Sequence, residues 1–126
     1  MQFLVTAMLV VAAIIHLMPS VGVLGGPRLE SLYGLPVDEP DLAILMRHRA
    51  VLFGLLGAFL LYAAFQAELQ RIAFIAGLLS AGSFVWLAWS IGGYNAQIGR
   101  VVIVDLAAIV CLLVAIGADL MAPGRN

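Results

Sequence analysis

The stretch "ILMRHRAVLFGLLG", Ile44–Gly57, decides how this chain is read. It is oily enough to lie in lipid, yet Arg47, His48 and Arg49 stand side by side within it. In water such a triplet needs no explanation. In hydrocarbon, an arginine at the centre of a helix is penalised by about 2.5–3.5 kcal/mol even on the mildest insertion scale. The solvent around the stretch has to be settled first, and then the partners of its charges.

Composition settles the solvent. Of 126 residues, 64% are hydrophobic and 10% charged, against roughly 45–50% and about 25% in soluble domains. Mean hydropathy is +1.14. There is too little polar surface to cover a soluble globule. The formal net charge of -1 leaves no basic footprint for nucleic acid. All the positive charges are arginines, at positions 28, 47, 49, 71, 100 and 125. The single cysteine, Cys111, lies in an apolar segment, where cysteine behaves as a small hydrophobe. No CxxC pair or Cys/His cluster suggests a metal site. "MQFLVTAMLVVAAII" has no basic residue before its apolar run and no A-x-A site after it, so it reads as a retained first span and not a leader.

A helix needs about 20 mainly apolar residues to cross hydrocarbon, and four segments qualify: about 3–24, 41–65, 71–92 and 101–121. Lipid requires backbone groups to be satisfied internally, so the spans are helices. The expected fold is all-α, an integral membrane four-helix bundle forming one domain over residues 1–126. Small residues at four-residue spacing, Gly77/Ala81 and Ala107/Cys111/Ala115, mark faces where helices approach closely. Pro36, Pro40 and the acids Asp38, Glu39 and Asp41 start the second span. In the loop of residues 25–40, "PRLESLYGL" suggests either one or two interfacial turns with Leu29, Leu32 and Tyr33 on one side, or a solvated linker.

Depth then brings the polar residues together. Let side B carry the first and third loops, and side A both termini and the second loop. At 1.5 Å per residue, residues 47–49 lie about 9–12 Å in from side B, Asp105 about 7–8 Å, His16 about 13 Å, Trp89 about 6 Å and Trp86 about 10 Å. One layer of one leaflet thus collects His16, Arg47, His48, Arg49 and Asp105 from three helices, with Trp89 beside them and Arg100 at the entrance. Consecutive helical residues point about 100° apart, so Arg47 and Arg49 cannot face the same neighbour. One is expected to pair inward with Asp105, the other to snorkel to head-groups. The plainer alternative makes the arginines interfacial anchors and Trp86, Trp89 and Tyr94 an aromatic belt.

Intramembrane ionisable residues mark function by default. The leading expectation is a site for an amphipathic or anionic ligand: a lipid head-group, a quinone or a small hydrophobic acid, held by His16, Arg47, His48, Arg49, Trp89, Arg100 and Asp105. Three alternatives stand beside it. The chain is a structural subunit or assembly factor, or a homo-oligomer, of a membrane complex. It holds a haem between its two histidines, His16 and His48. Or it is an enzyme with a histidine as acid/base and Asp105 orienting it. No nucleotide-binding glycine loop occurs.

"HLMPSVGVLGG", "LYGLP" and "ILMRHRAVLFGLLG", over residues 16–57, resemble small four-span bacterial inner-membrane proteins of the DoxX-like kind. The resemblance implies a four-helix bundle in the bacterial inner membrane, with roles in some members tied to quinone, thiosulfate or oxidative-stress chemistry. The redox cysteine pairs that would support a thiol role are missing here, so only the fold is carried over. For orientation, Arg71 and Arg125 share side A, and Arg28 and Arg100 share side B. Counting Arg47 and Arg49 tips the positive-inside balance toward side B in the cytoplasm, but both lie inside the span, and the long acidic first loop, which resembles a translocated segment, tilts the reading toward side B outside.

Overall fold

The structure is a computed structural model that describes residues 1–36 and 38–122. Arg125, used in the orientation argument, lies outside the described residues. Four long helices and one short one make up the fold: α1 (Gln2–Leu17), α2 (Gly26–Tyr33), α3 (Pro40–Ala64), α4 (Gln70–Ile91) and α5 (Ala96–Met121). Single 3₁₀ segments extend α1 through Met18–Leu24 and precede α4 at Ala67–Leu69. Four helical segments, Gln2–Gly22, Pro40–Ala64, Ala67–Ile91 and Ala96–Met121, are long and apolar enough to cross a membrane. Their outer faces carry large apolar side chains such as Phe3, Leu55, Leu79, Ile103 and Leu120. This is the all-α bundle of a multi-pass membrane protein.

Each boundary has a local cause. Pro19 has no N–H to give to the α1 ladder, and the chain tightens to 3₁₀ from Met18. Glu39 caps α3 by accepting from the N–H groups of Asp41 and Leu42, with Pro40 at the first helical position. Asn95 caps α5, its Oδ1 accepting from Ile98 N–H at 2.8 Å. That cap starts α5 about five residues before the span expected from hydropathy, because a short polar turn of helix precedes the apolar run. Gly92 and Gly93, at φ +69° and +68°, make the tight reversal before it.

The helices pack in the order α3–α1–α5–α4. Interfaces α1/α3, α1/α5 and α4/α5 are extensive, whereas α3 and α4 touch sparsely. The main core lies in the side A half, where Val5, Leu9, Ala12, Leu60, Ala64, Phe74, Leu112 and Ala115 interdigitate. The turn between α3 and α4 is fastened there too: Thr6 Oγ1 and Gln70 Nε2 both donate to the Ala64 carbonyl, at 2.9 and 3.2 Å. At this end Arg71 Nε lies 3.7 Å from Asp119 Oδ2. The α3–α4 seam is therefore held near side A and open toward side B.

One expectation is corrected. The packed face of α5 runs through Asp105, Ala108, Leu112, Ala115 and Ala118. Ala107 is exposed and Cys111 half-buried, so the expected stripe is displaced by one residue from the true one except at Ala115. The turns in "PRLESLYGL" form α2, whose Leu29 and Tyr33 are buried in a second small core with Met46, Ile98 and Val101. Asn95 Nδ2 donates to the carbonyl of Tyr33 at 2.8 Å and ties the end of α2 to the start of α5.

Without a hydrophobic drive between helices in lipid, close backbone approach carries the packing. At Gly57 an added Cβ would lie 2.7 Å from Leu17 Cγ and 3.0 Å from the Leu17 backbone nitrogen. Gly57→Ala is expected to push α1 off α3 and lower stability by about 1–3 kcal/mol. Gly82→Ala, where the new methyl meets nothing within 4 Å, is expected to be neutral or to stabilise by up to ~1 kcal/mol. Thermal denaturation in detergent, followed by circular dichroism, compares the two.

Candidate functional site

Helical periodicity chooses among the three consecutive residues of α3. The inward face of that helix runs through Met46, Arg49, Ala50, Phe53, Gly57 and Leu60. Arg47 and His48 lie off it and are exposed. Arg49 is half-buried and surrounded by rings: its Cζ is 5.1 Å from the centroid of Tyr33, 4.7 Å from Phe53 and 5.5 Å from Phe84. These rings come from α2, α3 and α4, so the guanidinium sits where three elements meet. Cation–π attraction is worth about 0.5–1 kcal/mol at exposed sites and about 2 or more when desolvated. It uses the faces of the guanidinium and leaves its N–H edge available. Among the described residues, no hydrogen-bond acceptor is paired with that edge.

Asp105 is buried on the inward face of α5. Among the described residues it forms no direct ion pair with either Arg47 or Arg49. Of the two arginines raised by the sequence, Arg49 is the one on the inward face of α3, and the expected pairing with Asp105 is replaced by contacts with three rings. His16 is buried on the packed face of α1. Its Nδ1 lies 2.9 Å from the Ala12 carbonyl and its Nε2 3.1 Å from Ser80 Oγ. A carbonyl can only accept, so Nδ1 carries a proton and donates to Ala12, while Nε2 shares a hydrogen bond with the Ser80 hydroxyl. His16 and Phe53 rings are 6.1 Å apart, which joins the histidine to the arginine's aromatic surround.

Of the seven candidate residues, the structure brings His16, Arg49 and Asp105 to one interior layer. Arg47 and His48 point outward. Trp89 is 75% exposed and pairs with Trp86, ring centroids 5.8 Å apart, on the outer face of α4, the geometry of a membrane-facing aromatic belt. Arg100 is exposed at the rim of a groove. With His16 inside and both its nitrogens bonded, and His48 outside, the two imidazoles do not converge on a common centre as a haem between them would require. Phe53, Ser80 and Phe84 were not singled out from the sequence, and Tyr33 was named only for its side of the first-loop turns. Phe53 and Phe84 could have been found at spacings of four, one after Arg49 and the other after Ser80, on faces marked by Gly57 and Gly77.

Three cavities open around this layer. The first, about 290 Å³, runs down the α3–α4 seam between Leu52, Phe53, Leu56, Ser80, Phe84 and Leu87, with Arg49 at its head. The second, about 660 Å³, continues from Arg49, Phe84 and Leu87 toward side B, reaching Tyr94 and Asn95. The third, about 300 Å³, lies elsewhere on the bundle between α1, α2 and α5, with Ser31, Gln97 and Arg100 leading in to Asp105. Arg49 is common to the first two, and Asp105 belongs to the third.

No family model, curated protein or solved structure matches this chain. The geometry of these three cavities is therefore what bears on its function.

If the opposite charges of Asp105 and Arg49 compensate each other within the interior layer, the two must be energetically coupled. Asp105→Asn and Arg49→Gln are each expected to lower the melting temperature, and the double variant to lose less than the two losses combined. A coupling of about 0.5–3 kcal/mol is expected. Arg47→Gln should combine additively with Asp105→Asn, since Arg47 faces outward. Additivity in the Arg49 cycle would show that the two charges do not interact.

Proposed function

We propose that this protein binds a single-chain amphipathic anion in the α3–α4 cleft, with the anionic head at Arg49 and the tail in the apolar cavity below it. One observation carries this reading: Arg49 stands at the junction of two cavities, its faces against three rings and its N–H edge unbonded among the described residues. A planar fork of donors suits a carboxylate, phosphate or sulfonate, which it can engage with two parallel bonds. Leu52, Leu56 and Leu87 supply apolar walls for a tail. At about 290 and 660 Å³ the cavities are near or within the roughly 300–1,000 Å³ range of small-molecule sites.

The loose α3/α4 pairing supports lateral entry from the membrane, because a ligand dissolved in the leaflet reaches the cleft without crossing water. The lipid bilayer is the protein's first partner in this reading. Its setting, on the four-span pattern and the DoxX-like segments of residues 16–57, is the bacterial cytoplasmic membrane. No reacting group is required of the site, since Ser80 and His16 satisfy each other. Binding, not catalysis, is the role the arrangement supports best.

Decanesulfonate, a single-chain anion of constant charge, is the probe for this reading, and decanol its neutral control. In protein reconstituted in lipid nanodiscs, decanesulfonate should bind in preference to decanol. Arg49→Gln should weaken it ten- to a hundredfold, about 1.4–2.8 kcal/mol, as loss of a charge-assisted contact requires. Arg47→Gln should leave it within a factor of about two. Equal binding of both probes, or indifference to Arg49→Gln, rejects the reading.

A further inference from the structure

We propose that the groove between α1, α2 and α5 is a second binding site, independent of the α3–α4 cleft. It takes a zwitterion carrying a primary ammonium and a phosphodiester, the chemistry of a phosphoethanolamine head-group. The ammonium meets the Asp105 carboxylate at the inner end of the groove, and the phosphate meets the Arg100 guanidinium at its rim.

Three elements wall the groove. Gln97, Arg100, Val101, Val104 and Asp105 recur on α5 at i, i+3, i+4, i+7 and i+8, so they make a single stripe along one helix face. Ile15, Met18 and Pro19 face them from α1 and its 3₁₀ extension, and Ser31 and Leu32 of α2 complete the lining. Asp105 is 8% exposed. Among the described residues its carboxylate accepts no hydrogen bond and joins no ion pair, and it borders this groove. A buried carboxylate is strongly disfavoured unless a cation or hydrogen-bond donors reach it. The groove is the route by which a ligand supplies both.

The chain's own cations leave that role open. Arg49 stacks on three rings and borders the α3–α4 cleft. His16 has both ring nitrogens engaged by Ala12 and Ser80. Arg28 is exposed on α2 and does not line the groove. Arg100 does line it, but five residues before Asp105, about 7.5 Å away along the α5 axis. A positive rim and a negative inner end suit a ligand with both charges. A simple anion meets Asp105, and a simple cation must pass Arg100. The long arginine side chain and the O–C–C–N bridge of phosphoethanolamine together span the separation. A primary ammonium has three N–H donors for charge-assisted bonds to Asp105 and the Ser31 hydroxyl, whereas a trimethylammonium has none. At about 300 Å³ the groove is at the small end of ligand sites. It admits a head-group and leaves acyl chains in the leaflet, beside the exposed Met18.

Native mass spectrometry of protein released from nanodiscs tests this. The nanodiscs contain phosphatidylethanolamine, its N-methyl, N,N-dimethyl and trimethyl (phosphatidylcholine) forms, and phosphatidylglycerol, all of one acyl composition. One phosphatidylethanolamine should be retained per protein. Retention should fall with each methylation, about tenfold over the series, as charge-assisted donors are removed. Phosphatidylglycerol should be held no better than the trimethyl form. Asp105→Asn should abolish the dependence on methylation, and Arg100→Gln should weaken the ethanolamine and choline lipids alike, because they share the phosphate. The wild-type series decides the matter without the variants if Asp105→Asn does not fold. Glycerophosphoethanolamine, titrated calorimetrically into phosphatidylcholine nanodiscs, separates the sources. Binding that depends on Asp105 assigns the groove to a water-soluble zwitterion, and retention of the lipid alone assigns it to the leaflet; each upholds the chemistry. Decanesulfonate should not displace the ethanolamine lipid, and displacement would overturn the independence of the two sites. Equal retention across the methylation series with no binding of glycerophosphoethanolamine overturns the proposal. An ethanolamine preference that survives Asp105→Asn overturns it too.

Discussion

A guanidinium about 12 Å inside a lipid-crossing helix must find its electrostatic partners within the protein. Much of the side B half of this molecule follows from that constraint. Asn95 ties the end of α2 to α5, and this docking brings Tyr33 over Arg49. Phe53 and Phe84 supply further ring faces from α3 and α4. Helices α2, α3 and α4 contribute directly to holding one arginine. α1 contributes through His16, which packs on Phe53 and hydrogen-bonds Ser80.

The same constraint explains why the two halves of the bundle differ. Near side A the helices meet through small residues and leucines, and two side chains fasten one carbonyl of the α3–α4 turn. Near side B the side chains between α3 and α4 are an arginine and large rings, which do not interdigitate as alanines do. The seam stays open there and cavities form along it. A polar residue placed inside the membrane thus creates both the chemistry of the site and the space beside it.

Much of this was legible in the sequence. Hydropathy gives four spans, and counting residues from their ends places His16, Arg49 and Asp105 at one level. What depth cannot give is azimuth. Arg47, His48 and Arg49 share a depth, and their faces are decided by periodicity with Ala50, Phe53 and Gly57, a signal present in the sequence but diluted by leucines on every side of α3. The aromatic surround needed tertiary information, since Tyr33 arrives from a loop whose docking depends on Asn95. Trp89 was drawn into the candidate site by depth alone, and its rotation about α4 carries it to the outer face. The start of α5 was misplaced because a capped polar turn is helical for reasons that hydropathy does not register.

Which way Arg49 points is the question on which the account turns. Magic-angle-spinning NMR of the protein in lipid, with isotope-labelled arginine, phenylalanine and tyrosine, measures it directly. The account predicts that the Cζ resonance lost in Arg49→Lys is the one that correlates with both phenylalanine and tyrosine ring carbons, and that Phe84→Leu removes part of that correlation. Ring correlations belonging to Arg47, or none from Arg49, would mean that the arginine faces lipid and that no interior site is built around it.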